Sequence, residues 1–371
     1  MLARASFRLL LLPIALVAAG CEDNESPFEP LPAEEPVPVV EPASGPLEDL
    51  AYWADGYLQA TNPTAASYHP LAERSFNRSG GAMTITKVAG TTGRYIARFN
   101  GLSALLGGKS TVRVTASGDN NTYCKPVGAS LVRDSVEVRC FRIGTGAAAN
   151  VAFYLQVIGK RDNLAFAFGN QPTAAEYTAG GTGSWSPAGP IRISRVGTGR
   201  YRVVFASLGS WTNRGQAQAT AVGPGKVYCA LGEVWGGEPA PSDLTLDVAC
   251  FMPGGSSVDS KFNVTFVTPA KHLAYAFGSA PWTPSYSPDP RYSTNPSGSP
   301  IVISRSGLGS YTVAWIGVDA AIIGSGNVHV SAVGTSNQCK VASWAAETVQ
   351  VQCFNPAGTA TESYFSVLLG S

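Results

Sequence analysis

Histidine is scarce in this chain, with only His69, His272 and His329 among 371 residues, and no two of them sit in equivalent surroundings. A zinc site built on histidines therefore has little to draw on. CxxC, HExxH, the GxSxG elbow and the dinucleotide glycine fingerprint are all missing, which removes the strong local signatures of zinc ribbons, metalloproteases, α/β-hydrolases and Rossmann enzymes. Charged residues make up only 14% of the sequence and nowhere form the Lys/Arg clusters of a nucleic-acid reader, so no specific nucleic acid is expected as a partner. No stretch shows sustained helical period, and the apolar run Leu9 to Val17 is too short to span a bilayer.

What is present is repetition. Ile85 to Phe99 (ITKVAGTTGRYIARF), Ile191 to Phe205 (IRISRVGTGRYRVVF) and Ile301 to Trp315 (IVISRSGLGSYTVAW) each read strand, glycine turn, strand, and each is followed by two cysteines. A period near a hundred residues indicates tandem domains. Each repeat is expected to open with an aromatic strand: LAYWAD from Leu50, with GYLQATN read as an insertion after it, LAFAFG from Leu164 and LAYAFG from Leu273. A loop with Pro63 and Tyr68, Pro172 and Tyr177, or Pro281 and Tyr286 follows, then the hairpin, and then strands around Val112, Ala217 and Val328. About seven short strands per unit, separated by Gly, Pro, Asn and Ser, predict an all-β chain of three tandem β-sandwich domains, immunoglobulin-like or jelly-roll-like. The predicted boundaries are 50–163, 164–272 and 273–371. In the hairpins Tyr95, Ala97 and Phe99 share one face opposite Arg98, as do Tyr201, Val203 and Phe205 opposite Arg202, which makes one face core and the other solvent.

The N-terminus points to export. Arg4 and Arg8 precede the apolar run, and Ala18, Ala19 and Gly20 lead into Cys21, the pattern of a bacterial lipoprotein signal over residues 1–21. An ordinary secretory signal with Cys21 as a spare thiol is the alternative. Cysteine arithmetic favours lipidation, since six of seven cysteines fall two to a repeat and only Cys21 is left over. Acyl chains there, at about 0.8 kcal/mol per buried methylene, would make the membrane a partner and the protein an outer-membrane or surface lipoprotein. Residues 22–49 hold nine acids, seven prolines and no Lys or Arg, the composition of an extended, disordered stalk. Beyond it, 24 basic residues stand against 16 acids, so residues 50–371 carry +8, a bias toward anionic glycans or other acidic surfaces.

Repetition selects one of the fifteen pairings open to six cysteines: Cys124 with Cys140, Cys229 with Cys250, and Cys339 with Cys353. These separations of 16, 21 and 14 residues make each bridge worth about 3 kcal/mol in the chain-entropy account. Parity with Val138, Val248 and Val351 puts the second cysteine of each pair on the buried face.

Chemistry is less visible. GLSALLGGKS, Gly101 to Ser110, ends like a phosphate-binding loop but has Ser103 where the first glycine belongs, and it reads as a connecting loop. Asp55, Glu233, Asp259 and Glu347 are the acids weighed for glycosidase work, which needs two carboxylates across a cleft; they do not recur as a pair among the repeats. Trp235 and Trp344 follow the first cysteine of their repeats closely. Either they pack over the disulfide, or Trp235 and Trp211 form a sugar-stacking platform that Trp185 and Trp282 extend. Trp211, Trp235 and Trp344 are thus the candidate glycan- or partner-binding residues.

AYAF…P…Y, SRxGxGxYxVxW/F, VHVSAVG, CKVASW and VQVQCFNPAG, taken from Leu273 to Gly358, resemble a repeat of secreted and lipoprotein-type bacterial proteins. The resemblance extends over all three units and implies export and the repeat boundaries; it implies no activity and no site residues. The expectation is a non-catalytic, lipid-anchored envelope protein that displays binding or adhesive surface to polysaccharide or a surface protein, with no cofactor or metal. The alternatives are a secreted polysaccharide-active enzyme and a purely structural envelope protein. Nothing in the sequence indicates an oligomeric state.

Overall fold

A computed structural model describes residues 53–233, 235, 242–318, 322 and 326–371. The leader with Cys21 and the acidic stalk 22–49 lie outside the described residues. The described chain is all-β. Repeat 1 contains β1 (Gly56–Ala60), β2 (Ser67–Tyr68), β3 (Ser75–Asn77), β4 (Met83–Lys87), β5 (Arg94–Phe99), β6 (Ser110–Ser117), β7 (Thr122–Pro126), β8 (Ser135–Arg142) and β9 (Ala152–Gly159). Repeat 2 contains β10 (Leu164–Gly169), β11 (Glu176–Ala179), β12 (Ile191–Gly197), β13 (Arg200–Phe205), β14 (Gln216–Ala221), β15 (Tyr228–Leu231), β16 (Leu244–Phe251) and β17 (Phe262–Val267). Repeat 3 contains β18 (Leu273–Gly278), β19 (Ser285–Tyr286), β20 (Ile301–Gly307), β21 (Ser310–Trp315), β22 (Asn327–Val333), β23 (Gln338–Ala345), β24 (Thr348–Phe354) and β25 (Tyr364–Gly370).

Each repeat folds into two facing sheets. The outer sheets run β2-β4-β5-β8-β7, β11-β12-β13-β16-β15 and β19-β20-β21-β24-β23; the inner sheets are built on β1-β9-β6, β10-β17-β14 and β18-β25-β22. Alternation along the hairpins does what the sequence predicts: Tyr95, Ala97 and Phe99 are buried between the sheets while Arg98 is exposed. The glycine before each of these tyrosines is demanded by geometry. Gly93, Gly199 and Gly309 have φ of +65°, +66° and +65°. A Cβ at each would lie 2.5–2.6 Å from the carbonyl oxygen of Cys140, Cys250 or Cys353. That close approach is itself bonded, since the amides of these cysteines donate to the glycine carbonyls at 2.8 Å.

The opening strand of repeat 1 differs from the sequence reading. The strand is Gly56–Ala60, within GYLQATN, which is therefore not an insertion; of LAYWAD, the described residues Trp53, Ala54 and Asp55 precede the strand. Gly56–Ala60 pairs with β9 as β10 pairs with β17, so Tyr57 corresponds to Phe166 and Tyr275. The clue lay in the following loops, NPTAASY and QPTAAEY, which align only if GYLQA is the strand. Aromatic content misplaced it, because Trp53 and Ala54 are buried by contacts outside the sheet.

The repeats interlock, and residues 50–371 form one compact unit. The boundaries at 163/164 and 272/273 therefore separate repeats of sequence that share sheets. β15 continues in parallel into β22 through Leu231 and Val333, and β23 into β6 through Val341 and Ser117. Three equivalent glycines make the junctions: Gly118 donates to the Val341 carbonyl, Gly223 to that of Pro126 and Gly334 to that of Leu231. Repeat 1 thus joins repeat 3, repeat 3 joins repeat 2 and repeat 2 joins repeat 1, a closed pseudo-threefold ring.

Candidate functional site

Six of the cysteines occur as the expected three disulfides, Cys124–Cys140, Cys229–Cys250 and Cys339–Cys353. Each joins directly opposed residues of neighbouring antiparallel strands, and the second cysteine of each pair is fully buried. The phenylalanines that follow, Phe141, Phe251 and Phe354, meet with Tyr123 and Tyr228 in a cluster drawn from all three repeats. A second shared cluster gathers Trp53, Tyr57, Phe166, Tyr275 and Leu368.

Between these clusters the interior is polar. In β6, β14 and β22 the side chains opposite the sandwich core are Arg113, Gln218 and His329, and, two residues on, Thr115, Thr220 and Ser331. In an isolated sandwich that alternation would turn them to solvent; here the neighbouring repeats cover them, and Arg113, Gln218 and His329 are no more than 5% exposed. Their bonds cross repeats. Arg113 Nη2 donates to Thr265 Oγ1 at 2.6 Å, Gln218 Nε2 to the Ser366 carbonyl at 2.9 Å, and Asn263 Nδ2 to the Ala129 carbonyl at 2.9 Å. Ser331 Oγ donates to Gln218 Oε1 at 2.7 Å. Lys125 Nζ donates to the Val227 carbonyl and Lys340 Nζ to the Asn120 carbonyl, and burial pushes both amines down to about 7, with Arg139 adding to the effect at Lys125.

The tryptophans do not make a sugar platform. Trp235 is 2% exposed, wedged against Phe266, Phe277 and Tyr292, with Nε1 donating to the Gly215 carbonyl. Trp344 is buried against Tyr154 with the Arg74 guanidinium 4.2 Å over its ring, and Trp211 is half-buried and stacked on Phe266. A stacked pyranose needs a free ring face; Trp235 and Trp344 are buried and have none to offer, and Trp211 has one face on Phe266. Trp282 alone of the seven is largely exposed, at 65%.

Three of the four acids weighed for catalysis, Asp55, Asp259 and Glu347, have structural partners. Asp55 is buried, pairs with Arg78 and Arg161 at 2.9 and 3.0 Å, and accepts the Gly159 amide. Asp259 pairs with Arg195 and accepts from the Gly199 amide and the Tyr201 hydroxyl. Glu362 does the same in repeat 3 with Arg305, Gly309 and Tyr311, and Asn150 replaces the acid in repeat 1. The bond from Arg195 holds the Asp259 carboxyl below the usual range. Glu347 accepts the Gly317 amide, and Glu233 is exposed. The segment Gly101 to Ser110 is a connection containing one helical turn, Leu102–Leu105, and Lys109 Nζ donates to the Ser184 carbonyl.

The outer face of repeat 3 differs from its sisters. Arg94, Glu137 and Arg139 form an ion-pair cluster across β5 and β8, and Arg202 pairs with Asp247 across β13 and β16. By strand register the matching positions in repeat 3 are Ser310, Thr312, Gln350 and Gln352, short and uncharged. An open groove of about 490 Å³ results, lined by Ser310, Gln350 and Gln352 together with Ser306, Ser343 and, across the junction with repeat 1, Asp119. The sequence reading missed it because it depends on which strands lie side by side.

No family model, curated protein or solved structure matches the chain. Among the described residues, no helix is long and apolar enough to cross a membrane.

Proposed function

We propose that this chain is a non-catalytic, lipid-anchored envelope protein, tethered through Cys21 and the acidic stalk, whose interlocked head binds surface polysaccharide in the repeat 3 groove. The observation that carries the reading is the substitution of Ser310, Thr312, Gln350 and Gln352 for the ion-paired residues of the other repeats. Hydroxyl and amide groups donate and accept without a fixed charge, which suits sugar hydroxyls, and Asp119 at the rim adds a strong acceptor. The reading also alters the role of repetition. Locked repeats do not behave as flexibly linked modules that raise effective concentration; two of them hold the third in place.

The test is a glycan array with residues 22–371, followed by affinity measurements on the retained glycan. Ser310→Arg with Gln350→Glu, which copies the repeat 1 ion pair into the groove, should weaken binding at least about tenfold, roughly 1.4 kcal/mol, at unchanged melting temperature. Undiminished binding by that variant would move the site elsewhere, and failure on every glycan would leave a structural role. Membrane fractionation of Cys21→Ala tests the tether, because continued pelleting with membranes would rule out lipid attachment there.

A further inference from the structure

We propose that the polar interior of the head holds one small inorganic anion of chloride size, bound at Arg113 where the three inner sheets meet. A cavity of about 20 Å³ lies there, lined among others by Arg113, Thr115, Gln218, Asn263, Thr265 and His329. It has room for one sphere the size of a water molecule, which excludes phosphate and sulfate.

Charge is the reason to place an anion there. Arg113 is 4% exposed, and among the described residues no carboxylate pairs with it. Asp55, the one buried acidic side chain of the described residues, is committed to Arg78 and Arg161. The guanidinium lies 5.2 Å over the Trp53 ring, and only its Nη2 is hydrogen-bonded; Nε and Nη1 are buried with no partner. A buried unpaired charge is among the most costly groups a fold can contain, and arginine does not escape by losing its proton. Water could satisfy the two N–H groups, and the unpartnered Asn263 Oδ1 nearby as well. Water cannot neutralise the charge.

His329 lies at the same cavity. Thr115 Oγ1 accepts from the Val330 amide and stands 3.1 Å from His329 Nδ1, where either atom can donate. His329 Nε2 is buried and unpartnered. Burial and the neighbouring Arg113 hold the imidazole neutral, well below its ordinary pKa. Arg113 Nε and Nη1, with three N–H hydrogens between them, therefore stand without a partner at the cavity. Lys125 and Lys340, which line the adjoining cavity of about 60 Å³, add positive potential while they are protonated, below about pH 7.

The test uses the mature chain. Crystals grown from bromide should give an anomalous peak within hydrogen-bond reach of Arg113 Nε or Nη1; density there without bromine signal would mean water and overturn the proposal. In solution, replacing gluconate by chloride at constant ionic strength should raise the melting temperature steadily with each tenfold increase in chloride. Arg113→Gln should abolish that dependence. If that variant does not fold, the wild-type titration and the bromide peak still decide, and a flat titration counts against the site.

Discussion

Removing repeat 3 should destroy the other two. A chain ending at residue 272 loses the strands that continue β6 and cover β14. Roughly twenty hydrogen bonds between repeat 3 and repeats 1 and 2 go with them, including those at Gln216, Gln218, Tyr228, Thr115, Asn120, Leu58 and Gly118. At about 1 kcal/mol net per bond the loss is on the order of 20 kcal/mol, before counting Leu368, Tyr275 and Phe354, which leave the two shared clusters. A whole domain has about 5–15 kcal/mol of stability, so residues 50–272 should not fold cooperatively. Urea unfolding followed by tryptophan fluorescence, with limited proteolysis alongside, checks this against residues 50–371. A sharp transition for the shorter chain at the denaturant midpoint of the longer one would refute the closed ring and restore independent modules.

Other perturbations give separate outcomes. Gly199→Ala places a methyl 2.6 Å from the Cys250 carbonyl at φ +66°, so it should cost well over the 1–2 kcal/mol of left-handed backbone alone, read as a lower denaturant midpoint. Trp235→Ala should destabilise by about 3–5 kcal/mol while leaving glycan affinity unchanged in the folded fraction; lost binding at an unchanged melting temperature would restore the stacking platform. Lys125 and Lys340 titrate near 7 in the folded protein and near 10.4 when unfolded. Between those values the unfolded chain binds more protons, so stability should rise from about pH 7 toward 10, and Lys125→Met should flatten part of that rise in a melting series. Cys229→Ser with Cys250→Ser should lower stability by about 3 kcal/mol, and a peptide map without reduction should show no bridge between repeats.

Much of this was legible because it is local. The hairpin glycines, the alternation of Tyr95, Ala97 and Phe99, and the cross-strand cysteines each depend on residues whose spacing is fixed by a turn or by strand pleat. The burial of Trp235 escaped the sequence for the complementary reason. A ring near a loop glycine reads as available until one knows that Phe277 and Tyr292, from the next repeat, close over it. The groove residues Ser310, Gln350 and Gln352 carry no motif, and they acquire meaning only beside the charged pairs of the sister sheets.

Apart from the opening strand of repeat 1, amino-acid order alone determined the repeating strands, their turns, their cross-links and which side of each hairpin faces its own core, since these follow from short-range sterics and a two-residue period. Assembly decided what covers the far side of β6, β14 and β22, and so turned Arg113, Gln218 and His329 from apparent surface into interior. Edge pairing between segments more than a hundred residues apart leaves no periodic trace, because backbone hydrogen bonds are indifferent to side-chain identity.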